Sequence, residues 1–169
     1  MDETTLSLNY PLRRCWMKRG QQKRLPAYTG YRHLVHLIGA FDWVSAAVHA
    51  LPVERKTSAH FLTFVEWLCL EVYPDEPLVL VLDNVSYHHS AAVRALLALL
   101  QPRVQILWLP KYSPDMNPIE RFWLYLKNQV YANRLFPSLP ALHEHLQLWL
   151  TIQNTPNHPL RFGFANSFR

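Results

Sequence analysis

The chain reads as an α/β protein, a β-sheet with helices laid on its faces. Three features of the sequence lead there. β-type runs form an opening hairpin and then alternate with segments of helical period, the order that builds such layers. The run Leu78 to Leu82 (LVLVL) is apolar throughout at strand length, the pattern of a strand covered on both faces. Half of the 169 residues are apolar, which suits one domain with a real core and leaves too little chain for two.

Residues 2 to 8 alternate, with Leu6 and Leu8 on the same side as Asp2, and predict a strand whose beginning is cut away. From Arg13 to Arg24 the basic residues Arg13, Arg14, Lys18, Arg19, Lys23 and Arg24 occur with no acid between them, interleaved with Trp16 and Gly20. This is a hairpin or loop. Residues 32 to 41 and 44 to 49 are two β-type runs separated by Asp42-Trp43, an antiparallel hairpin. Ser58 is placed to cap a helix whose apolar stripe is Phe61, Phe64, Val65, Leu68 and Val72, with Pro74 ending it.

Asp83 and Asn84 follow the Leu78 strand at its carboxyl end, where ligands collect in open α/β sheets. Ser90 is placed to cap AAVRALLALLQ, a helix so uniformly apolar that burial between layers is expected. Val104 to Leu109 is a further short buried strand, closed into a loop by Pro110 and Pro114. Helices are expected from Pro118 to about Asn133 and from Leu139 to about Gln153, the second carrying Leu142, Leu146, Trp149 and Leu150. One domain spans residues 1–155, and the proline-bearing tail 156–169 is irregular.

A formal charge of +5 favours a polyanionic partner. Cys15 and Cys69 lack metal-ligand spacing and suit a reducing cytoplasm. No apolar segment reaches membrane-spanning length, and MDETTLSLNY lacks the layout of a signal peptide, so a soluble intracellular protein is expected. His33 and His36 would point to opposite faces of a strand. His143-Glu144-His145 lacks the four-residue helical spacing of a paired ligand, which argues against zinc.

Each candidate acid has a structural explanation beside the chemical one. Asn117 is a good N-cap, Pro118 suits the first helical position, and Glu120 stands where a capping-box glutamate belongs. Asp83-Asn84 is also a common turn signal, although an aspartate ending a buried strand is partly desolvated and needs a partner. Asp42 rivals Asp2 as an acid at the end of a β run, but its Asp-Trp setting reads as a hairpin tip.

These residues carry a resemblance. Asp83-Asn84 with His88 just after a strand, and SPDMNPIERFW with its glutamate opening a helix, resemble the second and third acidic motifs of the DDE transposases, in the bacterial insertion-sequence branch related to mariner transposases. In that family the first acid stands in an Asp-Glu pair before a short strand and an arginine-rich hairpin. Asp2-Glu3 followed by LRRCWMKRG matches it.

The resemblance implies a ribonuclease-H-like fold, a mixed five-stranded sheet flanked by helices. The Asp2 strand is expected in the middle, with the Asp83 strand its parallel neighbour about 4.8 Å away, so that two carboxylates can share a metal ion. It implies Asp2, Asp83 and Glu120 as catalytic and metal-binding residues, with Mg2+ or alternatively Mn2+, two ions per site. Asn84, His88 and Asn117 are expected to shape the site. Arg13, Arg14, Lys18 and Arg19, and Lys127 on nearly the same helical face as Glu120, are expected to contact DNA phosphates.

The implied partners are double-stranded DNA, both transposon ends and target, and a second copy of the chain in the bacterial cytoplasm at the nucleoid. Family members carry further strand residues and a helix-turn-helix region upstream, both expected to be missing here. Strand cleavage followed by attack of the freed 3′ hydroxyl on target DNA is thus the expected activity. Two other readings use the same residues: a catalytically impaired remnant that keeps the fold and DNA binding, and a metal-dependent nuclease without strand transfer.

Overall fold

The computed structural model describes residues 1–9, 11–22, 24–26, 34–111, 113 and 116–155. Lys23, His33, Pro114 and Asp115 lie outside the described residues, as does the tail expected to be irregular. Among the described residues five strands are present, β1 (Asp2–Ser7), β2 (Leu34–Phe41), β3 (Val48–Val53), β4 (Leu78–Leu82) and β5 (Val104–Trp108). Four α-helices accompany them, α1 (Ser58–Trp67), α2 (Ala91–Leu99), α3 (Pro118–Tyr125) and α4 (Leu139–Gln153). Among the described residues no helix is long and apolar enough to cross a membrane.

Among the described residues the strands form two ladders where one five-stranded sheet was expected. β1, β2 and β3 pair antiparallel in that order, with Asp2 opposite Gly39, and β4 pairs parallel with β5. Just ahead of β1, the Met1 nitrogen donates to the Val81 carbonyl of β4 at 2.8 Å. That contact sets the start of β1 beside the end of β4, and so Asp2 beside Asp83.

Strand alternation divides the core in two. Leu6, Leu8, Val35, Leu37 and Val48 pack under Ile119, Phe122 and Trp123 of α3 and Leu142, Leu146 and Leu150 of α4. Met1, Ile38, Leu80, Leu82 and Val104 pack under Phe61, Phe64 and Val65 of α1 and Val93 and Leu97 of α2. Helices therefore cover both faces of the β1–β2–β3 ladder, the layering the sequence predicts. Gly39 matters to this packing because a Cβ there would lie 2.7 Å from the Trp123 ring. Its lack of a side chain lets α3 settle onto β2 directly beside Asp2.

Several expectations need correction. β4 is covered on one face only, with Val79 64% exposed. α2 buries Val93 and Leu97 while Leu99 is 82% exposed, so it lies on the surface. Its outer face carries Ala91, Ala92, Ala95 and Ala98, whose small side chains demand no partner, beside Arg94 and Leu99. Thr57, not Ser58, caps α1 by accepting from the His60 N–H, and the Ser58 hydroxyl donates to the Tyr87 carbonyl at 3.0 Å. The basic segment forms no strand among its described residues. It makes a turn at Gly20 (φ 81°), with the Gln21 N–H donating to the Lys18 carbonyl at 3.1 Å.

Candidate active site

The site begins with β1. Alternation sends Asp2, Thr4, Leu6 and Leu8 toward α3 and α4, and Met1 and Glu3 toward α1. Asp2 is half-buried, and burial pushes its carboxyl up to about 6. A hydrogen bond from the Glu3 N–H opposes that rise, while the charges of Glu3, Glu120 and Asp83 add to it. Three other carboxylates thus stand close enough to disfavour ionisation of Asp2.

Glu120 faces Asp2 because of where Asn117 goes. Asn117 occupies the N-cap position of α3, yet its side chain makes no capping bond. Instead its buried amide nitrogen donates to the Met1 carbonyl at 3.0 Å, tying the start of α3 to the start of β1. The expected capping box does not form. Glu120, exposed in the first turn, lines with Asp2, Thr4, Trp123 and Lys127 an open cleft of about 460 Å3. Lys127 closes its far side, one wide helical turn (Leu126–Tyr131) beyond α3. Burial, then the nearby Lys56, lowers the Lys127 ammonium, against the pull of Asp2 and Glu120.

Asp83 does not line that cleft; it reaches Asp2 through its field, from the end of β4. Its side chain is 43% exposed, and His88 holds the carboxyl below the usual range, with Nδ1 3.1 Å from Oδ1. The turn reading of Asp83 has some support, since the Val85 N–H approaches Oδ1, but at 3.5 Å. His88, on the short 3-10 turn Ser86–His89, is 1% exposed. Burial disfavours its charge, but its contacts with Asp83 and the Glu3 carboxylate outweigh that and raise it to about 9.

The remaining candidates separate. Asn84 donates from its side chain to the Leu109 carbonyl, so it braces the loop after β5. Asp42 is a hairpin-tip residue, accepting from the Val44 N–H at 2.8 Å and the Tyr73 hydroxyl at 2.9 Å. His36 is engaged by the Thr5 hydroxyl at 2.9 Å. Arg13, Arg14, Lys18 and Arg19 are exposed, and the segment's base is anchored by Asn133, which exchanges two 2.9 Å hydrogen bonds with the Arg13 backbone. Glu3 and Lys56 are site residues that sequence reasoning missed. Glu3 was detectable in principle, because the residue after a site acid on a strand must face the opposite layer.

All the ligands on offer are carboxylate oxygens, the donor set that magnesium prefers. Among the described residues no group of three acids, histidines or cysteines stands close enough to hold an ion as placed. Asp2 and Glu120 line one cleft, and Asp83 lies outside it but near enough to act on the Asp2 charge.

Comparison with known proteins settles the family. Residues 1–143 match the family model of the DDE superfamily endonuclease. The chain belongs to that superfamily. Over 138 residues this DDE endonuclease domain is 28% identical to an insertion element IS630 uncharacterized 39 kDa protein of Shigella sonnei, covering 82% of this chain and 40% of that protein. Over 72 residues it is 36% identical to the Tc3 transposase of Caenorhabditis elegans, covering 41% of this chain and 21% of that one. The chain therefore spans less than half the length of these relatives.

The fold matches the Mos1 transposase in its paired-end complex with the left transposon end, with a TM-score of 0.73 at 18% identity, over 98% of this chain and 50% of that one. It also matches the isolated catalytic domain of the Mos1 mariner transposase, with a TM-score of 0.58 at 17% identity, over 79% and 68% of the two chains. The architecture is thus the mixed α/β, ribonuclease-H-like one.

Proposed function

We propose that this chain is the catalytic domain of an insertion-element transposase, cutting DNA at element ends and joining the freed 3′ end to a target. Asp2, Asp83 and Glu120 are its catalytic acids. The observation that carries this reading is the juxtaposition of Asp2 and Glu120 across one cleft, with Asp83 close enough to oppose the ionisation of Asp2. Clustered carboxylates in a family of endonucleases are best explained by a cation that neutralises them.

Mg2+, or Mn2+ in its place, would be held by Asp2, Asp83 and Glu120 as a pair of ions. It would supply charge to stabilise the attacking and leaving oxygens of a phosphodiester. Solved Mos1 paired-end complexes with Mg and with Mn share this fold at TM-scores of 0.64 and 0.62. The chain's own part is geometric. The Asn117 tie and the Gly39 gap bring Glu120 to Asp2, His88 steadies Asp83, and Lys127 presents a cation to a backbone phosphate at the cleft's edge. Arg13, Arg14, Lys18 and Arg19 offer further phosphate contacts along the exposed segment. The two ladders become one five-stranded sheet, β3-β2-β1-β4-β5, once β1 and β4 pair beyond the Met1–Val81 bond.

By analogy with the paired-end and strand transfer complexes of Mos1, two copies would act on two element ends, at the bacterial nucleoid. The reading as an impaired remnant is not favoured, because the family match runs over residues 1–143. The test is a nicking and joining assay on element-end DNA with Mg2+. The chain should cut and join, and Asp83→Ala or Glu120→Ala should abolish both. Cutting that survives either substitution refutes the assignment, and cutting without joining reduces it to a nuclease.

A further inference from the structure

We propose that Glu3 is a positioning residue for Asp83, acting from the opposite face of β1 through His88. Glu3 borders the cleft that Asp2 lines, but its carboxylate reaches into the layer beneath α1, where its side chain is 7% exposed. There Oε1 lies 3.3 Å from His88 Nε2. The alignment is that of a charge contact, since Nε2 makes no hydrogen bond. The other ring nitrogen, Nδ1, lies 3.1 Å from Asp83 Oδ1 and 3.3 Å from the Asp83 carbonyl oxygen. One imidazole therefore links a buried acid behind the sheet to a half-exposed acid in front of it.

The ring itself has little freedom. It is 1% exposed, with Phe61 at 4.3 Å between centroids and Tyr87 at 4.6 Å and 72°. Asp83 is held far more loosely: apart from His88, its carboxylate has the 3.5 Å contact to the Val85 N–H. Whatever fixes the imidazole thus fixes the carboxylate. A buried carboxylate beside a buried histidine is costly to desolvate, and neutral residues would fill the space more cheaply. Placing one there makes sense where orientation matters, as it does for an acid that must meet a cation at a set angle. Asp2 and Glu3, adjacent in one strand, then serve the site from its two sides, the first by facing it and the second by steadying Asp83 from behind.

The consequence for cleavage rests on the function proposed above, but the geometric claim is testable without it. In the metal-free 169-residue chain, three-bond couplings from the Asp83 Cγ to its backbone nitrogen and carbonyl carbon report the side-chain rotamer. They should show one rotamer in the parent and averaging in Glu3→Gln. Averaging that accompanies retained cooperative unfolding separates positioning from a role in holding β1 in place. Glu3→Asp, which keeps the charge one methylene farther from His88, should fall between the two, and it carries the comparison should Glu3→Gln not fold. Unchanged couplings in whichever variant folds would overturn the proposal.

With element-end DNA, the Mn2+ concentration for half-maximal nicking should rise roughly 10-fold in Glu3→Gln, at an unchanged Kd for duplex. An unchanged Mn2+ requirement would overturn the consequence for the site. If the parent itself does not nick, the reading of the chain as a cleaving enzyme fails while the coupling result still decides the role of Glu3.

Discussion

Replacing Asp2 by Asn should stabilise the metal-free protein at neutral pH. In the folded chain burial and the neighbouring charges move the Asp2 carboxyl from 3.8 to about 6. At about 1.36 kcal/mol per pKa unit, a rise of roughly two units corresponds to about 3 kcal/mol. The sign follows from linkage: the folded state binds this proton more tightly than the unfolded chain. The associated stability is fully present below the unfolded value and is lost as pH rises through about 6. Asn keeps the oxygen that accepts from the Glu3 N–H and never ionises, so it escapes that loss.

Urea unfolding followed by tryptophan fluorescence in EDTA, from about pH 4 to pH 8, should therefore show the two proteins alike at the acidic end. By about pH 7.5 they should diverge by about 2–3 kcal/mol in favour of Asp2→Asn, or roughly 5–10 °C in Tm. Other groups titrate too, His88 among them, but they are common to both proteins and drop out of the difference. Adding Mg2+ should recover much of the gap for the parent and little for the variant, since an ion bound only by the folded state stabilises it. A parent equal to or more stable than Asp2→Asn at the alkaline end without metal would show that Asp2 is not strained by its neighbours.

Three further outcomes follow from the same geometry. Gly39→Ala should cost about 1–3 kcal/mol through overpacking against Trp123 and should weaken nicking by moving Glu120 from Asp2; Trp123→Phe in the same chain should recover part of both, and no recovery would place the damage elsewhere. Asn117→Ala should cost about 1–3 kcal/mol by leaving the buried Met1 carbonyl without its donor. Asn117→Ser, a good helix cap too short to reach that carbonyl, should not restore it in a thermal melt; full restoration would return Asn117 to a capping role. Changing Arg13, Arg14 and Lys18 to Gln should weaken duplex binding and lower the slope of log K against log salt by about 0.9 for each phosphate left unneutralised, whereas an unchanged slope would remove the segment from the DNA.

What could be read from the sequence was what local period controls. The stripe of α1 and the extent of α4 follow from spacing alone, and so does the shared face of Asp2, Leu6 and Leu8, whereas the second hairpin strand, expected at residues 44 to 49, is Val48–Val53 because 43–45 form the turn. Hydropathy without size is a poor guide to α2, whose outer face is mostly alanine, and to β4, an apolar run with Val79 open to solvent. Asn117 was misjudged for a different reason. Its local pattern is that of a cap, and only the fold brings the Met1 carbonyl, 116 residues away in the chain, within reach of its amide. The same long-range closure turns Glu120 from a capping residue into a wall of the cleft. The link from Glu3 to His88 likewise depends on which layers flank β1, which no single segment specifies.

The central claim is that Asp2, Asp83 and Glu120 jointly hold a divalent cation. Anomalous scattering from crystals grown with Mn2+ and element-end DNA tests it most directly. A manganese peak within coordination distance of oxygens from all three residues is the predicted result. A peak ligated by other side chains, or fully occupied manganese with Glu120 outside its coordination shell, would contradict it.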